Sequence, residues 1–169
     1  MISISTRRIA LLALLVLALD QFTKQLVNSL MRVGQERVII DGFFKFVHWG
    51  NTGAAWSLFN GNNGLLAVVA LVALLVLFLS RHHFDAHTTM GQVALGLIFG
   101  GILGNLIDRL FVGHVIDFIY FYMQRRGGGE IGFPAFNVAD SAICIGVGLI
   151  FILSWKNETV PGKPVQPQA

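Results

Sequence analysis

Charge is scarce in this chain: Asp, Glu, Lys and Arg make up 12% of its 169 residues, while 54% are hydrophobic. A soluble domain carries about 25% charged residues, and the mean hydropathy of +0.69 excludes that class. Cysteine is almost absent. The single Cys144 excludes an intramolecular disulfide and a cysteine-built metal cluster, and within its apolar run it reads as a packing residue. Several catalytic signatures are also missing. There is no His-Glu-x-x-His, no phosphate-cradling Gly-x-x-x-x-Gly-Lys, and no Gly-x-Ser-x-Gly elbow around Ser57 or Ser141. His83 and His87 have helical i, i+4 spacing but lie in a short loop on the opposite membrane side from the acidic motifs, which argues against a metal site there, and the five histidines read as non-catalytic. No metal and no cofactor is expected. The net charge of +3 does not indicate nucleic acid, because the basic residues are scattered beside apolar segments, where lipid headgroups account for them.

What the chain does have is long apolar runs, and they predict an all-α polytopic membrane protein. Four spans are expected at about 9–27, 64–80, 93–111 and 137–155, each near the length that crosses the hydrocarbon core. Arg7 and Arg8 ahead of the first run resemble a secretory signal, but no small-x-small site follows it, and Asp20 and Lys24 do; it reads as an anchor. Residues 1–157 read as one membrane-embedded domain, and 158–169, with Pro161, Pro164 and Pro167, as a disordered cytoplasmic tail. Lys and Arg number five in the N-terminus, the 81–91 loop and the tail, against seven elsewhere in much longer connections. Their density places both termini inside.

Connectivity adds a result that does not depend on orientation. Phe118 to Met123 is too short to cross and must lie at the interface, so Asp117 and Asp140 fall on the same side of the membrane. The far end of span one, with Asp20 and Lys24, and the 28–63 connection lie there too. In that connection Val38 to Trp49 alternates with period two, predicting a strand. Gly50-Asn51-Thr52-Gly53 reads as a turn leading into Ala54-Ala55-Trp56-Ser57. A small interfacial β-sheet is expected, with Trp49 and Trp56 at headgroup depth. Gly127-Gly128-Gly129 marks a flexible loop between the two aspartates.

In span three Gly96, Gly100 and Gly104 recur every four residues, as close helix contact in lipid requires. Gly101, Asn105, Asp108 and Arg109 follow on a neighbouring face, where Asp108 and Arg109 are either an internal salt bridge or functional. Asp20 and Lys24, one turn apart, read as a structural pair. Asn137 followed by Asp140 resembles a helix-capping arrangement. Asp117, among Val115, Ile116, Phe118 and Ile119 and without a basic neighbour within four residues, is harder to assign to structure. Burial raises a carboxyl pKa, and two close carboxylates share a proton. Asp117 and Asp140 therefore form a candidate dyad in which one activates water and the other polarises a carbonyl, which is peptide hydrolysis without a metal.

Five ordered blocks carry a resemblance over nearly the whole chain: Asp20-Gln21-Phe22-Thr23-Lys24, Asn51-Thr52-Gly53-Ala54-Ala55-Trp56-Ser57, the run from Gly100 to Arg109, Val115-Ile116-Asp117-Phe118, and Phe136-Asn137-Val138-Ala139-Asp140-Ser141. The chain resembles the lipoprotein signal peptidase (signal peptidase II) family of the bacterial inner membrane. The resemblance implies an aspartyl endopeptidase that removes signal peptides from diacylglyceryl-modified prolipoproteins, cutting before the lipidated cysteine at the periplasmic face. It implies Asp117 and Asp140 as the catalytic pair and Asn51, Gly53, Asn105, Arg109 and Asn137 as residues that shape the site or hold substrate. Asp20, Lys24 and Asp108 remain structural supports. The expected partners are these prolipoproteins and membrane lipids; one chain supplies a whole dyad, so a monomer is expected. The stretch from Arg125 to Phe133 is longer than in many members. The competing reading is a small proton- or cation-coupled transporter or channel subunit using Asp20, Asp108, Asp117 and Asp140. Its weakness is that span two and most of spans three and four carry no polar residue through the membrane's depth.

Overall fold

The structure, a computed structural model, describes residues 3–53 and 61–158. Helix α1 (Ile4–Leu30) leads to strands β1 (Glu36–Ile40) and β2 (Phe44–Asn51), then α2 (Asn63–Ser80) and a single 3-10 turn, Arg81–His83. Helix α3 (Thr89–Phe111) is followed by β3 (Val115–Gln124), β4 (Glu130–Gly132) and α4 (Val138–Glu158). All four helices are long and apolar enough to cross a membrane. The expected segment Ala54–Ser57, with Trp56 and Ser57, and nearly all of the expected tail lie outside the described residues.

The helix starts are set by short polar side chains. Ser3 accepts a hydrogen bond from the Thr6 amide at 3.1 Å, and Thr88 from the Gly91 amide at 3.0 Å, satisfying donors that a first turn leaves open. Packing then centres on α3. A Cβ on Gly96 would lie 2.5 Å from the Leu12 Cβ, and one on Gly100 2.6 Å from the Ala13 carbonyl oxygen, so these glycines let α1 approach. Gly101 serves the other flank, where a Cβ would lie 2.5 Å from the Ala139 oxygen of α4. Close backbone approach replaces the hydrophobic drive that lipid removes. Outward-facing leucines and valines of α1, α2 and α4 stay exposed, as lipid-facing surface does. Cys144 belongs to that surface: it is exposed rather than packed, because α4 turns Ala139, Ala142 and Gly146 to α3 and leaves Cys144 on its outer side.

The sheet has the antiparallel order β1-β2-β3-β4 and lies at the helix ends where α1 and α3 finish and α2 and α4 begin. The single strand expected over Val38 to Trp49 is instead a hairpin. Alternation continues through the break, but Gly42 at φ +69 makes the turn that reverses the chain. Likewise, the interfacial run Phe118 to Met123 is the middle of β3, and the triple glycine is the β3–β4 turn, with Gly128 and Gly129 at positive φ. One side chain joins all four strands. Lys45 of β2 is 3% exposed, pairs with Glu36 of β1 at 2.6 Å and Glu130 of β4 at 2.8 Å, and lies over the Tyr120 and Tyr122 rings of β3. Burial opposes its charge, but hydrogen bonds to Glu130 and Glu36 outweigh that and lift its pKa above the ordinary lysine value.

Candidate active site

Asp117 lies on β3 next to an irregularity in its pairing with β2. Phe46 pairs with Ile119 and Trp49 with Asp117, so β2 has one residue more than β3 over this interval. Such a bulge bends the strand and re-aims side chains. Asp140 stands in the first turn of α4, and the capping reading of Asn137 holds there. The Asp140 amide donates to Asn137 Oδ1 at 2.9 Å, and the Asn137 amide donates to Asp140 Oδ2 at 3.2 Å.

Capping does not exhaust either residue. Asn137, fully buried, also donates through Nδ2 to Asp117 Oδ1 at 2.8 Å, so one asparagine bridges the two carboxylates. Each remaining oxygen has its own amide donor: Asn51 Nδ2 reaches Asp117 Oδ2 at 2.9 Å, and Asn105 Nδ2 reaches Asp140 Oδ1 at 2.7 Å. Four elements, β2, α3, β3 and α4, thereby converge on one pair of carboxyl groups.

Behind the pair is a buried ion cluster. Lys24 Nζ lies 2.8 Å from Asp20 and 2.8 Å from Asp108, and donates to Asn105 Oδ1 at 3.0 Å. This last bond fixes which end of the Asn105 amide turns to Asp140. The carboxylates of the cluster reach further: Asp20 accepts from the Ala139 amide at 2.9 Å and Asp108 from the Ile116 amide at 3.3 Å. Each holds the residue directly before one member of the pair. The expected pairing of Asp20 with Lys24 is present, whereas the alternative of an Asp108–Arg109 salt bridge is not. Consecutive helical residues point about 100° apart, and Arg109 turns instead to the Gly53 carbonyl at 3.1 Å. Its Nε is buried without a partner among the described residues. Gly53 in turn donates its amide to Asn51 Oδ1 at 2.9 Å, which orients the Asn51 amide toward Asp117.

Asp117 is 3% exposed, and burial pushes its pKa up to about 7, with the charge of Asp140 adding to the rise; Asn51 and Asn137 work against it. A carboxyl group titrating there beside a second carboxylate suits shared-proton acid/base chemistry. Among the described residues no cluster of three His, Cys, Asp or Glu side chains is placed to hold a metal.

All ten residues singled out by sequence fall in this network or directly against it. Sequence reasoning missed two members. Gln21, named in the sequence only as part of the first motif block and given no role, donates to Asp108 at 2.9 Å and to the Gly104 carbonyl at 3.2 Å. Asn63 donates to the Arg109 carbonyl at 2.8 Å, and its position at the start of an apolar run resembles an ordinary helix start. The signal for Gln21 was its place between Asp20 and Lys24; for Asn63 there was none.

A four-helix membrane bundle, capped at one end by a small sheet and holding two carboxyl groups in an amide lattice, defines a multi-pass membrane enzyme of the aspartic type. The profile of the signal peptidase (SPase) II family matches residues 12–156. The chain belongs to that family. It is 42% identical over 142 residues to a lipoprotein signal peptidase of Symbiobacterium thermophilum, covering 83% of this chain and 90% of that one. It is 40% identical over 151 residues to a lipoprotein signal peptidase of Pseudomonas putida, covering 87% and 86% respectively. A bacterial membrane enzyme structure obtained in meso at 2.3 Å superposes with a TM-score of 0.73 at 35% identity, covering 92% of this chain and 93% of that one. The protein is a membrane protease, and no comparison favours a transporter or channel.

Proposed function

We propose that Asp117 and Asp140 are the catalytic pair of this peptidase, cutting prolipoproteins immediately before a diacylglyceryl-bearing cysteine at the outer face of the bacterial inner membrane. The observation that carries the proposal is Asn137, which donates to both carboxylates at once, at 2.8 Å and 3.2 Å. The pair shares one proton. The ionised carboxylate removes a proton from water as its oxygen attacks the scissile carbonyl; the protonated partner donates to the developing oxyanion. When the tetrahedral intermediate collapses, the C–N bond breaks and the proton taken from water passes to the leaving amine. Because coupled groups titrate as a pair, the proton belongs to the dyad rather than to one residue.

Asn51, Asn105 and Asn137 hold the carboxylates for this step, and Gly53 holds both Asn51 and Arg109. The Arg109 Nε, without a partner among the described residues, is a donor for a substrate carbonyl. Asp20, Lys24 and Asp108 support the pair from behind. Residues 1–157 act as one domain and as a monomer, with substrate entering laterally from lipid. The test is cleavage of a diacylglyceryl-modified prolipoprotein by the purified protein, followed by mass. Asp117→Asn and Asp140→Asn are each expected to lose activity by about 10²- to 10⁴-fold or more while remaining folded; near-normal turnover in either variant refutes the pair.

A further inference from the structure

The sheet face that bears Asp117 continues as an apolar surface well beyond the catalytic pair. Alternation along β3 puts Asp117, Ile119, Phe121 and Met123 on one side, and the register sets Phe46 opposite Ile119 and Phe44 opposite Phe121. The rings form a chain: Phe46 to Phe44 at 5.0 Å between centroids, Phe44 to Phe121 at 5.1 Å, and Phe121 to Phe43 at 5.3 Å. Phe136, the residue before Asn137, joins the chain at 6.1 Å from Phe121. From Asp117 to Met123 this surface runs about 20 Å. It ends in a groove of about 310 Å³ lined by Phe43, Phe121, Met123 and Ile131 among others. Phe43 is 53% exposed there and Met123 65%.

The main chain beside this track is already engaged. β2 pairs along one edge of β3, and on the other edge Ile119 and Phe136 exchange backbone hydrogen bonds at 2.9 and 3.1 Å. With β2 on one edge of β3 and Phe133, Phe136 and β4 on the other, an added peptide strand has no open edge along this stretch. The surface suits a long unbranched hydrocarbon with no polar groups. We propose that it is the binding track for an acyl chain carried by the substrate's cysteine, laid along β3 from Asp117 toward Phe43 and Met123. The proposal rests on the reading of the protein as a peptidase of lipid-modified substrates. Continuity with Asp117 selects the substrate's own chain over a bulk phospholipid, which has no reason to be aligned on a carboxylate.

The experiment uses the purified full chain in detergent and two prolipoproteins of identical sequence, one with palmitoyl and one with butyryl diacylglyceryl. The kcat/KM ratio of long to short substrate is measured for wild type, Phe43→Gln/Met123→Gln, Ile131→Gln and, as a control, Val33→Gln, a residue 75% exposed outside the track. The ratio is expected to fall by about fivefold or more in the double variant, less in Ile131→Gln, and not in Val33→Gln, with the loss carried by KM. An unchanged ratio in the double variant and in Ile131→Gln overturns the track, as does an equal fall in Val33→Gln. Failure of wild type to cut either substrate overturns the peptidase reading itself.

Discussion

Asp117 is held as a carboxylate by two amide donors and opposed as a carboxylate by burial and by Asp140, and the opposition wins: its pKa rises to about 7. An unfolded aspartate titrates near 3.9, so the folded state takes up a proton that the unfolded state releases. The stabilisation from keeping Asp117 protonated is complete below the unfolded pKa and is lost as pH rises through about 7. Removing the charge should therefore help the fold at alkaline pH. Asp117→Asn is expected to be more stable than wild type at pH 8, by about 1–3 kcal/mol, with little difference at pH 4; thermal unfolding at the two pH values checks this. A variant no more stable at pH 8 means that the buried charge costs the fold nothing. On the proposed mechanism the same titration limits catalysis, since the dyad loses its shared proton as pH rises. kcat/KM should fall on the alkaline side with an apparent pKa near 7 that belongs to the pair, and a profile flat from pH 6 to 9 contradicts it.

Helix α3 is the element on which the site is built, because its two flanks pack against α1 and α4 and its Asp108 reaches the strand that carries Asp117. Its small residues admit α1 and α4, and its last two turns present Asn105, Asp108 and Arg109 to three different neighbours. Gly104 shows how tight the fit is: a Cβ there would run into the Asp20 carboxylate. Gly104→Ala is expected to cost about 1–3 kcal/mol and to lower kcat, because Asp20 can shift only by releasing the Ala139 amide beside Asp140. Lys24 is a stronger case, being 1% exposed between two carboxylates. Lys24→Met leaves those charges uncompensated and should destabilise the protein by about 3–5 kcal/mol. Denaturant unfolding of both variants measures the losses, and an unaffected Lys24→Met would mean the cluster is dispensable. These helices were legible in sequence because lipid imposes length and continuous apolarity, and the i+4 glycines reported their own contact. The sheet was legible only in part. Alternation revealed β2 but ran on through the Asp41-Gly42 turn, while the apolar β3 resembled a short interfacial run. At the site, the aspartates stood out by their apolar setting. The partners of Asp108 and Arg109 did not, since which neighbour each meets is decided by chain segments far away in sequence.

Across the whole molecule, polar chemistry is gathered at one end of an apolar bundle, and this asymmetry bears on orientation. Of the seven basic residues assigned to that side, Lys24 and Lys45 are buried and Arg109 is half-buried, each bonded within the protein. Only Arg32, Arg37, Arg125 and Arg126 stand exposed there. The positive-inside rule is read by cations free to meet headgroups near the span ends, so the folded network strengthens the case for both termini inside. Cys144 allows a direct measurement, since it is the only cysteine and faces outward from α4. In a Cys144→Ser background, Arg126→Cys in the β3–β4 turn should react with a membrane-impermeant maleimide added to intact spheroplasts, whereas Ser3→Cys at the start of α1 should react only after the membrane is broken. The reverse pattern would put the site at the inner face, where a signal peptide still spanning the membrane does not present its cleavage point, and would remove the proposed substrate along with the orientation.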